Sequence, residues 1–239
     1  ENMVKPTAIA VSADGRRVFV LDAVRVAVLT FDLVARRVTT LALASLPNGP
    51  TAPFGLALGR DETLYGTDQA SHSVAALISG RVALQIGREQ LTRPVGCAID
   101  TARRLLYVVD SPGGRDATHR VAVFDLGGRF LRWIGGRGTE AGRFNYPTYV
   151  ATDAGGDVYV VDTLNWRVQV FDAEGGFLRA FGRHSDARGD FDRPKGAVGG
   201  DLRTRRRRPA TAAVISDFAA IVGRLAGCGS RRPARVEVD

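Results

Sequence analysis

The sequence predicts an all-β fold, a β-propeller built from four-stranded blades. Three observations predict it. Apolar runs opened by proline recur at spacings of 47, 41, 53 and 47 residues. Each of the first four is followed, fifteen or sixteen residues after its proline, by a second run that ends in aspartate. Val- and Phe-rich third and fourth runs then follow between Gly-rich turns. Self-similarity at this period is the mark of a repeat architecture, and four short strands per repeat are the composition of a propeller blade.

The first strands are KPTAIAVSADG, APFGLALGRDE, RPVGCAIDTAR and YPTYVATDAGG, opened by Pro6, Pro53, Pro94 and Pro147; RPKGAVGGD at Pro194 opens a fifth. Proline is tolerated as the first residue of a strand, where its missing N–H costs no ladder bond. The second strands end at Asp22, Asp68, Asp110 and Asp162. The third include RVAVFD at Arg120 to Asp125 and RVQVFD at Arg167 to Asp172, with weaker versions at Val28 to Asp32 and Val74 to Ser79. Their first valine lies six residues past the aspartate in blades one, two and four, and eleven in blade three, so SPGGRDATH holds a five-residue insertion. The fourth strands are typified by FLRWIG and FLRAFG. Strands buried on both faces need not alternate with polar residues, which suits runs such as LLYVV. Glycines between runs supply the φ > 0 that tight hairpins require.

The pattern of Pro-x-Gly, apolar run and Asp, then YVxD, NxRVQVF, a turn and FLRxFG resembles the NHL repeat. YPTYVATDAGGDVYVVDTLNWRVQVFDAEGGFLRAFG matches it almost throughout, and blade three does so once its insertion is set aside. Blades one and two keep the proline and aspartate landmarks. The resemblance covers residues 5–201, with blades at about 5–50, 51–91, 92–144 and 145–191 and part of another from 192. It implies a six-bladed propeller of the kind found in bacterial NHL repeat-containing proteins, of which this chain is a partial copy. It also implies export or a periplasmic location.

The chain of 239 residues is 45% apolar and long enough for one sizeable domain, and no run approaches the length of a membrane-spanning helix. It begins at Glu1 without a recognisable signal peptide. Cys97 and Cys228 lie in unlike contexts and read as unpaired thiols. The net charge of +8 is concentrated after residue 201: nine arginines against Asp217, Glu237 and Asp239 leave +6 there and +2 for the repeats. A nearly balanced body is a poor phosphate-binding surface, so nucleic acid is not the expected partner. The tail, residues 202–239, shows no repeat landmark and reads as a frameshift product, because CGN arginine codons displaced by one nucleotide read as GNC and GTC is valine. A basic interaction arm and a short amphipathic helix over Ala212 to Ala226 are the alternatives.

The repeats carry no GxSxG, P-loop or HExxH motif. His72, His119 and Trp166 share one repeat position, two residues before the third strand's first valine. Metal-binding histidines serve some propeller lyases, but a zinc site needs three or four converging ligands, and packing at blade interfaces accounts for these rings. The repeated aspartates are spread around a ring and read as acceptors for backbone N–H groups or partners of Arg120 and Arg167. The GGRG at Gly135 to Gly138 reads as a connection between blades. A single-stranded RNA surface would draw on Arg120, Arg167, Trp166 and Arg132.

The sequence therefore predicts a non-catalytic propeller, without a cofactor or metal, that binds a protein, peptide or other ligand through loops joining its strands. The candidate contacts are Arg115, Asp116, His119 and Arg120 in and after the blade-three insertion, because enlarged loops on a rigid scaffold tend to carry function, together with Trp166 and Arg167 of blade four. A metal-dependent lyase or lactonase-like enzyme is the second reading, and RNA binding the third. For the tail, the gene sequence read in an alternative frame after codon 200 is expected to encode YVxD and QVF landmarks; if no frame does, the frameshift reading fails.

Overall fold

The computed structural model describes residues 3–114 and 117–182, together with the backbone of two paired two-residue strands, Ala197–Val198 and Ala213–Val214. The other residues of the tail, Pro194 at the start of the fifth repeat, and Cys228 lie outside the described residues. Each of the first four repeats forms a four-stranded antiparallel meander. Blade one comprises β1 (Pro6–Val11), β2 (Arg17–Asp22), β3 (Ala27–Asp32) and β4 (Arg37–Ala42). Blade two comprises β5 (Pro53–Leu58), β6 (Leu64–Asp68), β7 (Ser73–Ile78) and β8 (Arg81–Ile86). Blade three has β9 (Pro94–Asp100), β10 (Leu105–Asp110), β11 (Arg120–Asp125) and β12 (Phe130–Ile134). Blade four has β13 (Pro147–Thr152), β14 (Val158–Asp162), β15 (Arg167–Phe171) and β16 (Phe177–Phe181).

The first strands β1, β5, β9 and β13 are the innermost, and each packs against the next in chain order. Apolar layers fill the spaces between blades. Leu21, Val28, Leu56 and Leu77 lie between blades one and two. Cys97, Leu106, Phe124 and Ile86 lie between two and three, and Tyr107, Val123, Phe144 and Phe171 between three and four. Burial on both sheet faces explains why the central strands β10 and β14 read as unbroken apolar runs. Cys97 is buried in such a layer, and burial pushes its thiol up to about 12, so it behaves as a small hydrophobe.

The repeated proline and aspartate face each other in register. Pro6 is paired with Asp22, Pro53 with Asp68, Pro94 with Asp110 and Pro147 with Asp162, and each pairing is followed by an irregularity in the ladder. The aspartates are almost completely buried. Each carboxylate accepts N–H bonds from the residues just before the proline: Val4 (2.6 Å) and Lys5 (3.2 Å) on Asp22, Thr51 (3.1 Å) and Ala52 (2.5 Å) on Asp68, Thr92 (2.9 Å) and Arg93 (2.7 Å) on Asp110, and Asn145 (2.6 Å) on Asp162. Asp22 also takes the N–H groups of Val24 and Arg25 in the following turn. Burial works against its charge, but these four backbone donors outweigh it and hold the Asp22 carboxyl below its ordinary value. Hydrogen bonds to a buried charge are worth about 1.5–3 kcal/mol each.

Glycine two residues after the proline has a packing reason. A Cβ at Gly55 would collide with the Val95 carbonyl of β9, and one at Gly96 would stand 2.7 Å from the Thr148 carbonyl oxygen and 2.9 Å from the Tyr149 Cα of β13. The Gly55 N–H donates to Thr67 Oγ1 (2.7 Å), which in turn donates to the Val95 carbonyl (2.6 Å), so the innermost strands are both close and cross-linked. Blade four departs from the pattern: Tyr149 stands there, and its hydroxyl donates to the Thr7 carbonyl of blade one (2.6 Å). Replacing Gly96 by alanine should separate blades three and four at a cost of about 1–3 kcal/mol. Gly66→Ala is the control, since a Cβ there meets nothing within 4 Å. Thermal melts should show a clear loss for G96A and little change for G66A; equal losses would contradict the close-approach account.

Candidate functional site

The second strands end, and the connections between blades arrive, on the same face of the propeller, here termed the Asp face. The blade-three insertion lies there between β10 and β11, alongside the connection of residues 135–146 that leads into blade four. Arg115 and Asp116, at its centre, lie outside the described residues.

Its two ends are held by side chains. His119 is fully buried. Its Nδ1 accepts the Tyr146 N–H (3.1 Å), which assigns the ring proton to Nε2, and Nε2 donates to the Pro112 carbonyl (3.2 Å). The imidazole also lies against the Tyr146 ring, with centroids 4.4 Å apart. From the connection, Arg137 donates through Nη1 to the Gly114 carbonyl (3.2 Å). The insertion and the connection are thereby joined at three points, and Gly113, Gly114 and Thr118 of the one and Arg137, Glu140 and Arg143 of the other are exposed.

The other candidates are engaged more deeply than their charge suggests. Arg120 lies with its guanidinium carbon 3.4 Å from the Trp133 ring centroid, its Nε 3.5 Å from Asp110 Oδ2, and its Nη2 donating to the Gln90 carbonyl (3.4 Å). Arg167 donates through Nε to Asp162 Oδ2 (2.9 Å) and through Nη2 to the Glu140 (2.7 Å) and Arg143 (2.8 Å) carbonyls. Trp166, half-buried, closes the 3-10 turn Thr163–Asn165 in the left-handed conformation, with φ of 49°. Val26 and His72 share that conformation at their repeat positions.

Sequence reasoning missed Asn165, Gln169 and Tyr146. Asn165 Nδ2 bonds Asp162 Oδ2 (2.8 Å) and the Gly138 carbonyl (3.0 Å). Gln169 Nε2 bonds Asp162 Oδ2 (3.0 Å) and the Arg143 carbonyl (2.6 Å), while its Oε1 accepts the Gly142 N–H (2.8 Å). The NxRxQ stretch is thus a clamp on the preceding connection. Arg167 and Gln169 alternate along the start of β15, the available signal that these two share one face, and Asn165 ends the 3-10 turn just before it. Tyr146 left only its place before Pro147 as a signal.

His72 and His119 hold different carbonyls, Thr92 (2.5 Å) and Pro112, and do not converge. Among the described residues no three His, Cys, Asp or Glu side chains gather where they could hold a metal ion. Arg132 reaches the Ala173 carbonyl at the opposite end of the propeller, so Arg120, Arg167, Trp166 and Arg132 do not share a face. No helix among the described residues is long and apolar enough to cross a membrane.

Four antiparallel meanders arranged around their innermost strands define a β-propeller. Within it residues 144–171, which run from Phe144 of the connection through β15, match the family model of the NHL repeat. Among solved structures the chain is similar to hydrazine synthase of Kuenenia stuttgartiensis, at 21% identity and a TM-score of 0.58, covering 75% of this chain and 49% of that one. It is also similar to a streptogramin B lyase, at 14% identity and a TM-score of 0.61, covering 82% and 59%. A catalytically inactive virginiamycin B lyase of Staphylococcus aureus, solved with quinupristin, matches at 14% identity and a TM-score of 0.60, covering 82% and 60%. The chain spans about half to three-fifths of the length of these proteins. At such identities the likeness shows the fold.

Burial holds the His119 imidazole below its ordinary value; the bond to Pro112 opposes this and the Arg137 charge reinforces it. The neutral ring is the form that accepts from Tyr146. A histidine with a lowered folded-state value contributes stability that is complete above the unfolded value, about 6.5, and is lost as pH falls below it. Melting temperature is therefore expected to drop from about pH 6.5 to 5 and to do so less steeply in His119→Gln. Parallel pH profiles of the two proteins would refute this assignment.

Proposed function

We propose that the protein is a non-catalytic propeller scaffold that binds a protein, peptide or other ligand on its Asp face, with the blade-three insertion and the 135–146 connection as the contact region. The observation that carries this reading is the joining of the two loops through His119, Tyr146 and Arg137. A loop whose ends are held before binding loses less conformational entropy on meeting a ligand. In this reading Arg115 and Asp116 contact the ligand, Arg120, Trp166 and Arg167 border it, and His119 holds the loop from beneath. The metal-dependent lyase reading has less support, because both His119 nitrogens are already hydrogen-bonded and His72 bonds elsewhere.

Two measurements test the proposal. Metal analysis of the purified full chain is expected to find no stoichiometric zinc or calcium; one ion per chain would overturn the non-catalytic reading. Peptides selected from a displayed library against the full chain are expected to lose at least tenfold in affinity when Gly113 to Ala117 are deleted. Peptides indifferent to that deletion would place binding elsewhere.

A further inference from the structure

The two ends of the propeller differ in the charge they expose. On the Asp face the loops are residues 3–5, 23–26, 43–52, 69–72, 87–93, 111–119, 135–146 and 163–166. Among their described residues the cations are Lys5, Arg25, Arg88, Arg93, Arg137 and Arg143, all exposed, against the exposed carboxylates of Glu89 and Glu140. Arg115 and Asp116 add one charge of each sign. The turns at the opposite end, which join first strands to second and third to fourth, carry six arginines and seven carboxylates and are balanced. The imbalance follows from the repeat. The aspartate that closes each second strand is buried against backbone N–H groups, so the acid that the repeat places at this end does not reach the surface. Arg120 and Arg167 face two of those aspartates and are engaged beneath the loops. The buried carboxylates weaken the positive field above them, but the charges a ligand can touch are those of the loops.

Two of the exposed guanidiniums reach the blade-three insertion from different connections. Arg93, arriving from blade two, donates through Nη1 to the Ser111 carbonyl (3.3 Å), and Arg137, leaving for blade four, donates through Nη1 to the Gly114 carbonyl (3.2 Å). A carbonyl is a neutral partner, so these contacts fix where the guanidiniums lie without cancelling their charge. Arg93, held at one nitrogen, keeps the rest of a planar donor fork whose geometry matches a carboxylate. We propose that the ligand of the Asp face is an acidic peptide segment, whose Asp or Glu side chains pair with Arg93 and Arg137 beside the insertion and with Arg88 and Arg143 of the same connections. The proposal rests on the reading of this face as the binding surface and names the chemistry of its partner. Discrete carboxylates suit it better than a continuous phosphate chain, because Glu89 follows Arg88 and Glu140 lies between Arg137 and Arg143 in the chain. Exposed pairs of this kind contribute modestly to affinity and chiefly select the sign of the partner.

Peptides selected from the displayed library against the full chain are expected to be enriched in Asp and Glu. A fluorescein-labelled peptide of alternating Glu and Ser should bind the full chain more tightly than its Gln–Ser counterpart. The triple variant R93Q/R137Q/R143Q should weaken binding of the Glu–Ser peptide about tenfold and flatten its salt dependence. R36Q/R60Q/R104Q, at the opposite end, should leave both unchanged. Each variant removes three positive charges and keeps the basic tail, so a difference between them belongs to the face. R88Q/R143Q, which leaves both insertion contacts in place, should weaken binding about threefold even if the first variant melts early. Equal losses in the two triple variants would show attraction by net charge alone and overturn the proposal. Selected peptides that are neutral or basic, yet still depend on Gly113 to Ala117, overturn it while leaving the binding face in place. Single-stranded oligodeoxythymidylate that binds more tightly than the Glu–Ser peptide and is weakened by R93Q/R137Q/R143Q assigns the face to nucleic acid and also overturns it.

Discussion

The structure depends on a buried carboxylate that closes each blade. A first strand must begin beside the end of the second, and the backbone arriving there carries N–H groups that no ladder partner takes. Proline removes one donor from the account, and the aspartate opposite it accepts those immediately before. One side chain thus fixes where the preceding connection lands, and so how each blade stands against its neighbour. The blades reinforce this differently. Asp22 relies on four backbone N–H groups, whereas Asp162 gathers an asparagine, an arginine and a glutamine that also grip the long connection from blade three.

The strand plan was legible because the proline and aspartate landmarks mark a register that backbone pairing obeys in all four blades. The insertion in SPGGRDATH was legible as a break in that register. The roles of the residues around it were not. Arg120 and Arg167 look like surface charges in a one-dimensional reading, but their partners, Trp133, Gln90, Glu140 and Arg143, lie on other strands or on connections whose course no local pattern encodes. His119 was placed at the repeat position it shares with His72 and Trp166, yet the insertion before it lets the chain enter β11 differently. Val26, His72 and Trp166 are left-handed, whereas His119 is absent from the described residues with positive φ.

The proposed contact region follows the same division of labour. The sheets below present a loop whose ends are tied by a neutral imidazole and an arginine. Function on a shared fold resides in such additions, and the blades themselves supply orientation. The tail, residues 202–239, carries most of the chain's net positive charge.

Tyr149 gives the molecule a different kind of order. In a series of blades, each in contact only with its neighbours, stability is a sum of adjacent couplings, and the terminal units can open one at a time. The phenol that crosses from the fourth blade to the Thr7 carbonyl of the first turns that series into a circuit. Burial pushes its hydroxyl up to about 12, so the tie stays protonated throughout the physiological range. Opening either end then requires breaking a contact held by the other, which couples the fates of two blades more than a hundred residues apart.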